Sequence, residues 1–404
     1  MSGPLEGIRV LDWTQWQMGT VATSFLADYG AEVIHIEHRV QGDAGRGLGL
    51  SNLGDLSGGR VAYFETNNRG KKSLAIDLSK PEGRDAIYRL VEKSDVFAHN
   101  FRQGVPEKLK LDYETLSRIN PALVYAAASG YGPKGPEATQ PAFDLVGLAR
   151  SGITSFVSTV DGDPNLPPGG LADQMGGVMT SYGILMALLA RERKGVGQQV
   201  DVSHLGSMIT LQGLAIGMTL LLKPPPFTRP TRKQAANPLW NYYLCAGDRW
   251  IVLGNLQPDR KWPALCRALG ITDLQDDPRY ANAMARRESC QELIAILDEI
   301  FLTRTVDEWI KLLRGAGDII CTPLQTIRDL PEDPQVIANQ YLVDVEHDTL
   351  GKIKVRGLPV ALSKTPGTVR PVAPEFGQHT EEVLIDVAGY TWEDIAELRD
   401  KEVI

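Results

Sequence analysis

Short apolar runs alternate with helical stretches through the first half of the chain. Ile8-Arg9-Val10-Leu11-Asp12-Trp13 reads as a strand, and Thr20 to Tyr29 reads as a helix stopped by Gly30. Glu32 to Glu37, Ser73 to Leu78, Asp95 to Phe101 and Ala122 to Ala128 give four more strands. A helix over Pro81 to Lys93 carries proline in its first turn, where the missing N–H does no harm. Strands alternating with helices of this length predict a parallel sheet covered on both faces. Two long helical patterns follow, Gln174 to Lys194 and Leu205 to Leu222, with a further strand over Gly197 to Ser203 between them. Leu205 to Leu222 is nearly long enough to cross a membrane, but its serine, threonines, glutamine and glycines favour a buried helix.

The pattern changes at Lys223-Pro224-Pro225-Pro226-Phe227-Thr228-Arg229-Pro230, which reads as a stiff extended linker. Beyond it, Trp240 to Gly254 reads as a hairpin turning at Ala246-Gly247-Asp248, followed by helices over Trp262 to Leu269, Gln291 to Leu302 and Val306 to Gly315. Short strands flank Gly351, a proline-rich run spans Pro366 to Pro374, and a last helix spans Thr391 to Asp400. The expected organisation is α/β. A large Rossmann-like domain over residues 1–225 is completed by a returning segment over 330–404, and a smaller α+β domain covers 226–329.

The 404 residues suffice for two domains. A net charge of −8 argues against a nucleic-acid binder, which usually carries a basic stripe. Cys245, Cys266, Cys290 and Cys321 form no C-x-x-C pair and have no histidine cluster beside them, so no metal site is expected. Buried, reduced thiols fit a cytoplasmic protein, and the first residues show neither the basic nor the apolar region of a signal peptide.

Ligands of such sheets bind beyond the strands' carboxyl ends. Those ends lead into Thr14 to Gly19, His38 to Asp43, Asn100-Phe101-Arg102 and Ser129 to Pro136. The first strand is not followed by G-x-G-x-x-G, and Gly70-Lys71-Lys72-Ser73 has Glu65 where a P-loop needs its first glycine. Neither a dinucleotide nor an ATP site is expected, which disfavours a redox enzyme. The stretch Gly169-Gly170-Leu171-Ala172-Asp173-Gln174-Met175-Gly176-Gly177 sets one carboxylate among four glycines, just before a long helix. Asp173 there is either the helix N-cap or a reactive group held open to substrate. The cap is the simpler reading of this window alone.

The chain resembles the family III CoA-transferases, the group of formyl-CoA and carnitine CoA-transferases, nearly end to end. The resemblance is carried in order by Pro4 to Asp12, Gly30 to Ile34, Asn68-Arg69-Gly70-Lys71-Lys72-Ser73-Leu74, Ser129-Gly130-Tyr131-Gly132, Gly195 to Val202 and His379 to Leu384. It implies that Asp173 is the nucleophile, passing through a mixed anhydride and an aspartyl-CoA thioester, and that Gln17 contacts the activated carbonyl. Asp144 matches an acidic residue of the transferases; its alternative role is the N-cap of the following helix. Coenzyme A enters as cosubstrate, with no permanently bound cofactor. Trp16 and Met18 flank Gln17 as residues lining the CoA arm would. Arg39, Lys71 and Lys72 are candidates for the phosphates, and Asn100, Phe101 and Lys108 match further CoA contacts. The resemblance also implies an interlocked homodimer.

Three departures from the family stand out. His38 replaces an arginine of formyl-CoA transferase, moving phosphate contact toward Arg39. A tetraglycine lid has no counterpart near Ala235 to Leu239. Related racemases use a His-Asp pair after the Gly-Tyr-Gly loop, whereas this chain has Phe143-Asp144, and Phe143 cannot act as a base. An α-methylacyl-CoA racemase and a non-catalytic CoA-binding homologue remain the alternatives. Trp16, Met18 and Trp240 to Tyr243 hint at an acid larger than formate, such as an aromatic or branched one, with succinyl-CoA or acetyl-CoA as donor.

Overall fold

The computed structural model describes residues 3–47, 54–158, 163–223, 231–256, 258–317, 319–370 and 372–404. The chain divides into two units. The first comprises Met1–Thr154, Leu166–Pro224 and Pro334–Ile404, and the second comprises Ser155–Asn165 and Pro225–Asp333. The expected linker over Lys223 to Pro230 lies, apart from Lys223, outside the described residues.

In the first unit, β1 (Arg9–Trp13), β2 (Glu32–His38), β3 (Lys72–Ile76), β4 (Val96–His99), β5 (Val124–Ser129) and β6 (Gln198–Ser203) form one sheet in the order β3-β2-β1-β4-β5-β6. Every pairing in it is parallel. Helix α1 (Met18–Asp28) joins β1 to β2, α2 (Ala62–Asn68) precedes β3, and α3 (Pro81–Glu92) joins β3 to β4. Helices α4 (Val105–Leu109) and α5 (Tyr113–Ile119) lead to β5, and α6 (Asp144–Arg150), α7 (Thr154–Val157) and α8 (Leu171–Lys194) precede β6. Helices α9 (His204–Leu211) and α10 (Gly213–Leu222) follow it.

Successive residues of a strand face opposite sides, so a strand buried on both faces is apolar throughout. Val10, Val96 and Val124 pack under α1 and α8 with Leu26, Ile184 and Leu188. Their neighbours Leu11, Phe97 and Tyr125 pack on the other face with Ile87 and Leu90 of α3 and with Leu384, Ile395 and Leu398 near the end of the chain. The strand order reverses between β1 and β4, which opens a crevice beyond their carboxyl ends.

Two glycines set how closely α1 and α8 approach. A Cβ on Gly176 would lie 2.7 Å from Met18 Cε, and one on Gly177 would lie 2.7 Å from Val21 Cγ1 and 3.0 Å from the Met18 carbonyl oxygen. These glycines therefore serve helix packing rather than access of a ligand.

The expected single helix over Leu205 to Leu222 is instead two, α9 and α10, bent by 74° at Gln212. The Gln212 carboxamide donates to the carbonyls of Met208 (2.9 Å) and Ser151 (3.2 Å), and glycine follows it. Burial holds for Ser207, Met208 and Gln212 and is corrected for the second half of the segment. No residue of α10 is buried, and Leu214, Leu220, Leu221 and Leu222 are exposed. Among the described residues no single helix is long and apolar enough to cross a membrane.

In the second unit, β7 (Trp240–Leu244), β8 (Trp250–Gly254) and β9 (Cys321–Pro323) form an antiparallel sheet. Its core joins Tyr243 and Ile251 to Trp262, Leu297, Phe301 and Trp309 from three helices, Pro258–Leu269, Cys290–Phe301 and Val306–Gly315. Strands β10 (Leu342–His347) and β11 (Gly351–Arg356) form a hairpin of the first unit.

Gly177→Val places methyl groups where the α1 backbone already lies. It should lower stability by about 1–3 kcal/mol, outweighing the small gain in helix propensity. A denaturant midpoint that fell without a change in slope would show this.

Candidate active site

A cavity of about 940 Å³ opens beyond the carboxyl ends of β1, β4 and β5. Its walls include Trp16, Met18, Tyr63, Asn100, Phe101, Phe143, Asp173 and His204. Three helices begin beside it, α6 at Asp144, α8 at Leu171 and α9 at His204.

Asp173 is the third residue of α8, and Gly170 holds the cap position with φ 75°. The N-cap reading of Asp173 is therefore corrected. Gly170 has no side chain to satisfy the free N–H groups of the first turn. Asp144 reaches across from α6 to do so. Its Oδ1 accepts from the backbone N–H of Ala172 (2.6 Å) and of Asp173 itself (3.1 Å). Asp144 does not cap its own helix, where Phe143 holds that position. The Asp173 carboxylate sits on the positive end of a 24-residue helix, where an anion is favoured. Its Oδ1 lies 2.7 Å from His204 Nε2, and its Oδ2 has no hydrogen-bond partner among the described residues.

Gln17 begins α1 without capping it. Its carboxamide lies against Gly170, and a Cβ there would collide with it. Glycine at 170 is thus required twice, for the left-handed backbone and for room beside Gln17.

The loop carrying Trp16 and Gln17 is clamped at two points. Asn100 donates from Nδ2 to the Gln15 carbonyl (2.7 Å) and accepts from the Gln15 N–H (3.0 Å). Trp16 has φ 64°, a conformation costing a non-glycine residue of order 1–3 kcal/mol, and its N–H donates to Asp43 Oδ1 (3.0 Å). Behind Asp43 runs a buried chain of charge. His35 Nε2 meets Asp43 Oδ2 at 3.3 Å, and His35 Nδ1 meets Asp12 Oδ2 at 3.0 Å. Lys71 Nζ reaches the same Asp12 oxygen at 2.8 Å. Burial alone would neutralise His35, but the carboxylates of Asp12 and Asp43 hold it protonated, up to about 9. Burial likewise opposes the Asp12 charge, yet Lys71 and His35 keep its carboxyl well below the usual range.

Trp16, Met18, Asn100, Phe101 and Asp173 line the cavity, while Gln17 lies against Gly170 and Asp144 binds the Asp173 backbone. Phe101 also packs on Trp13, centroids 4.2 Å apart, as part of the core. The expected phosphate ligands lie elsewhere. Lys71 is enclosed and gives all its N–H groups to Asp12, Thr20 and Asn68. Lys72 opens β3, at the strand end away from the crevice, and pairs with Glu32 and Glu382. Arg39 donates to the Ile404 carbonyl (3.1 Å), and Lys108 is exposed on α4. Neither is part of the cavity wall. The arginines that do line it are Arg102 and Arg118, and their guanidinium groups have no partner among the described residues.

Sequence reasoning missed His204, Tyr63 and Arg118, and it placed Arg102 at a ligand-facing strand end without assigning it a contact. His204 follows the last residue of β6, so the rule that pointed to the other strand ends would have reached it. Burial, then Asp173, Asp43 and Asp144, hold the Tyr63 hydroxyl protonated. Burial keeps His99, at the end of β4, neutral down to about 4. Phe143, where a racemase has its base, meets Trp16 edge-on at 5.8 Å.

The strand order opens a crevice beyond the carboxyl ends of β1 and β4, and a carboxylate at the start of a long helix lines the cavity there. The chain matches the model of CoA-transferase family III over residues 5–380, and it belongs to that family. It is 33% identical to an acyl-CoA transferase of Fusarium pseudograminearum, over 100% of this chain and 88% of that protein. It is 32% identical to succinyl-CoA--D-citramalate CoA-transferase of Chloroflexus aurantiacus, over 99% and 98%. Among solved structures it resembles a CAIB/BAIF family protein from Brucella suis, with a TM-score of 0.85, 28% identity, and coverage of 96% and 100%. The Rv3272 protein of Mycobacterium tuberculosis gives a TM-score of 0.80, 32% identity, and coverage of 94% and 99%. The protein is a CoA-transferase enzyme, with coenzyme A as cosubstrate.

His35 gives a pH signature to the clamp on Trp16. Its folded pKa lies above that of the unfolded chain. Its stabilising contribution is therefore complete below about 6.5, declines as pH rises toward 9 and is gone above it. Unfolding midpoints measured from pH 6 to 10 should show this decline, and His35→Gln should lack it.

Proposed function

We propose that this protein moves CoA from an acyl-CoA thioester to a free carboxylic acid through covalent intermediates on Asp173. Asp173 Oδ2 attacks the thioester carbonyl, giving a mixed anhydride and CoA thiolate. The thiolate attacks Asp173 Cγ, the donor's acid leaves, and an aspartyl-CoA thioester remains. The acceptor carboxylate displaces the thiolate from Cγ, and the thiolate then takes the acceptor's acyl group, restoring the Asp173 carboxylate. Dividing one exchange into four steps is the general benefit of covalent catalysis, and the thioester's free energy is conserved throughout.

One observation carries this reading. Asp173 lines the cavity with its backbone and one carboxylate oxygen held by Asp144 and His204, and with the other oxygen unengaged. Gln17, packed on Gly170, is the side chain to contact the activated carbonyl. Arg102 and Arg118 take over from Arg39, Lys71, Lys72 and Lys108 as contacts for the CoA phosphates, which need cationic partners. Relatives named for succinyl-CoA with D-citramalate or glutarate support succinyl-CoA as the first donor to test, with small dicarboxylic acids as acceptors. Aromatic and branched acids remain in the acceptor panel because of Trp16, Phe143 and Tyr63.

The working form is a homodimer in this reading. Its support is the run of exposed apolar side chains on α8 to α10, including Leu185, Met186, Leu214, Leu220 and Leu221, since exposed apolar patches mark interaction surfaces. Buried, unpaired Cys245, Cys266 and Cys321 fit a reducing, cytoplasmic setting.

Asp173→Ala should abolish CoA transfer while leaving acyl-CoA binding measurable by calorimetry. Retained turnover in that variant would remove Asp173 from the nucleophile's role. Replacing Arg102 and Arg118 together by glutamine should raise KM for acyl-CoA roughly 10- to 100-fold, the scale of one or two lost charge-assisted hydrogen bonds, with kcat little changed.

A further inference from the structure

We infer that His204 is a catalytic residue that stabilises the oxyanion formed on Asp173 itself. The inference rests on the covalent route above and adds to it a group that serves one carbonyl carbon, Asp173 Cγ, and not the substrate's.

The hydrogen bond to Asp173 Oδ1 is 2.7 Å, short enough for a charge-assisted contact. His204 is 5% exposed, and its other ring nitrogen, Nδ1, is buried with no partner among the described residues. A proton on Nδ1 would be a buried donor with nothing to bind, so the N–H that the ring uses is the one on Nε2, facing Asp173. The ring is held in place from behind. A Cβ on Gly147 of α6 would lie 2.7 Å from His204 Cβ, and Ser203 caps α9 by accepting from Gly206 N–H at 3.0 Å.

In the second and third steps Asp173 Cγ is the electrophile. When CoA thiolate adds to the anhydride at Cγ, the Cγ–Oδ1 double bond opens and its electron pair settles on Oδ1. When that pair returns, the Cγ–Oδ2 bond breaks and Oδ2 leaves with the donor's acid. Addition of the acceptor carboxylate to the thioester charges Oδ1 again, and collapse breaks the Cγ–S bond. Through both steps Oδ1 remains on Asp173, beside Nε2–H. The Oδ1 of the anhydride or thioester is a neutral carbonyl oxygen, whereas that of each tetrahedral species carries a full charge. The hydrogen bond therefore strengthens on the way to the transition state, which is the condition for rate acceleration. In the first step the same bond stabilises the resting carboxylate and gives no such gain. His204 thus divides the reaction, assisting both steps at Cγ and not the opening attack on the donor's carbonyl.

The test compares the wild type with His204→Leu and His204→Gln. Glutamine can place an N–H near the position of Nε2, and leucine cannot. Each protein is mixed with succinyl-CoA, quenched in acid at increasing times, and the mass carried by the Asp173 peptide is read. The wild type should carry CoA on Asp173. His204→Leu should form that adduct and complete transfer about 10²- to 10³-fold more slowly, the usual cost of one oxyanion donor, and should accumulate the succinyl adduct instead. Its affinity for succinyl-CoA should be unchanged, and His204→Gln should recover at least tenfold of the lost rate. If the Leu variant forms the CoA adduct at the wild-type rate, or Gln and Leu are equally slow, the inference falls and the covalent reading stands. If the wild type carries neither adduct while turning over, the covalent reading falls and takes the inference with it.

Discussion

The close approach of α1 to α8 is the constraint on which the site depends. Gly176 and Gly177 let the two helices meet backbone to side chain, with Met18 and Val21 filling the space a Cβ would need. That contact lies within two turns of Asp173. It brings the first residues of α1 against the first residues of α8, so that Gln17 rests on Gly170. The partners of Asp173 arrive from the other side. Asp144 opens α6 and His204 opens α9, and each meets a different part of the same residue, the backbone N–H and Oδ1. With its backbone N–H fixed by Asp144 and its Oδ1 fixed by His204, the Asp173 side chain has little freedom left to lose, which is how a rigid scaffold contributes to a rate.

The β1 end of the crevice depends on a different principle. Four ionisable side chains, those of Lys71, Asp12, His35 and Asp43, lie in sequence beneath the loop with almost no exposure. Burying them singly would be prohibitive, and each is tolerated because its neighbour carries the opposite charge. Such a chain adds little to net stability compared with apolar packing. Its value here is geometric, since it delivers a fixed acceptor oxygen to the strained N–H of Trp16. Asn100 does the same for Gln15 without charge.

Much of the scaffold was legible in the chain because the physics is local. Consecutive apolar residues such as Val10-Leu11, Val96-Phe97 and Val124-Tyr125 announced strands buried on both faces, and their carboxyl ends pointed to the crevice. What stayed hidden was tertiary. The basic run ending in Lys71-Lys72 looks solvent-facing, yet one ammonium is sealed in the core and the other is paired at the far end of β3. Asp144 could be placed at a helix start, but nothing local says that it caps a different helix. His204 follows a strand that the pattern identified, and a single histidine beside an apolar helix reads as core. The break at Gln212 had a cue in the polar residue followed by glycine, outweighed by the apolar residues on either side.

The unequal state of the two Asp173 oxygens has an isotopic consequence. Oδ1 is held by His204, and Oδ2, which has no hydrogen-bond partner among the described residues, is the atom that the proposed route uses to form and lose bonds. On the covalent route Oδ2 departs with the donor's acid, and the oxygen that replaces it comes from the acceptor's carboxylate. The enzyme is restored in structure but not in its atoms. After a single turnover with an acceptor enriched in heavy oxygen, the protein would be heavier by one isotope substitution. The acid released from the donor would carry an oxygen that had been part of the polypeptide.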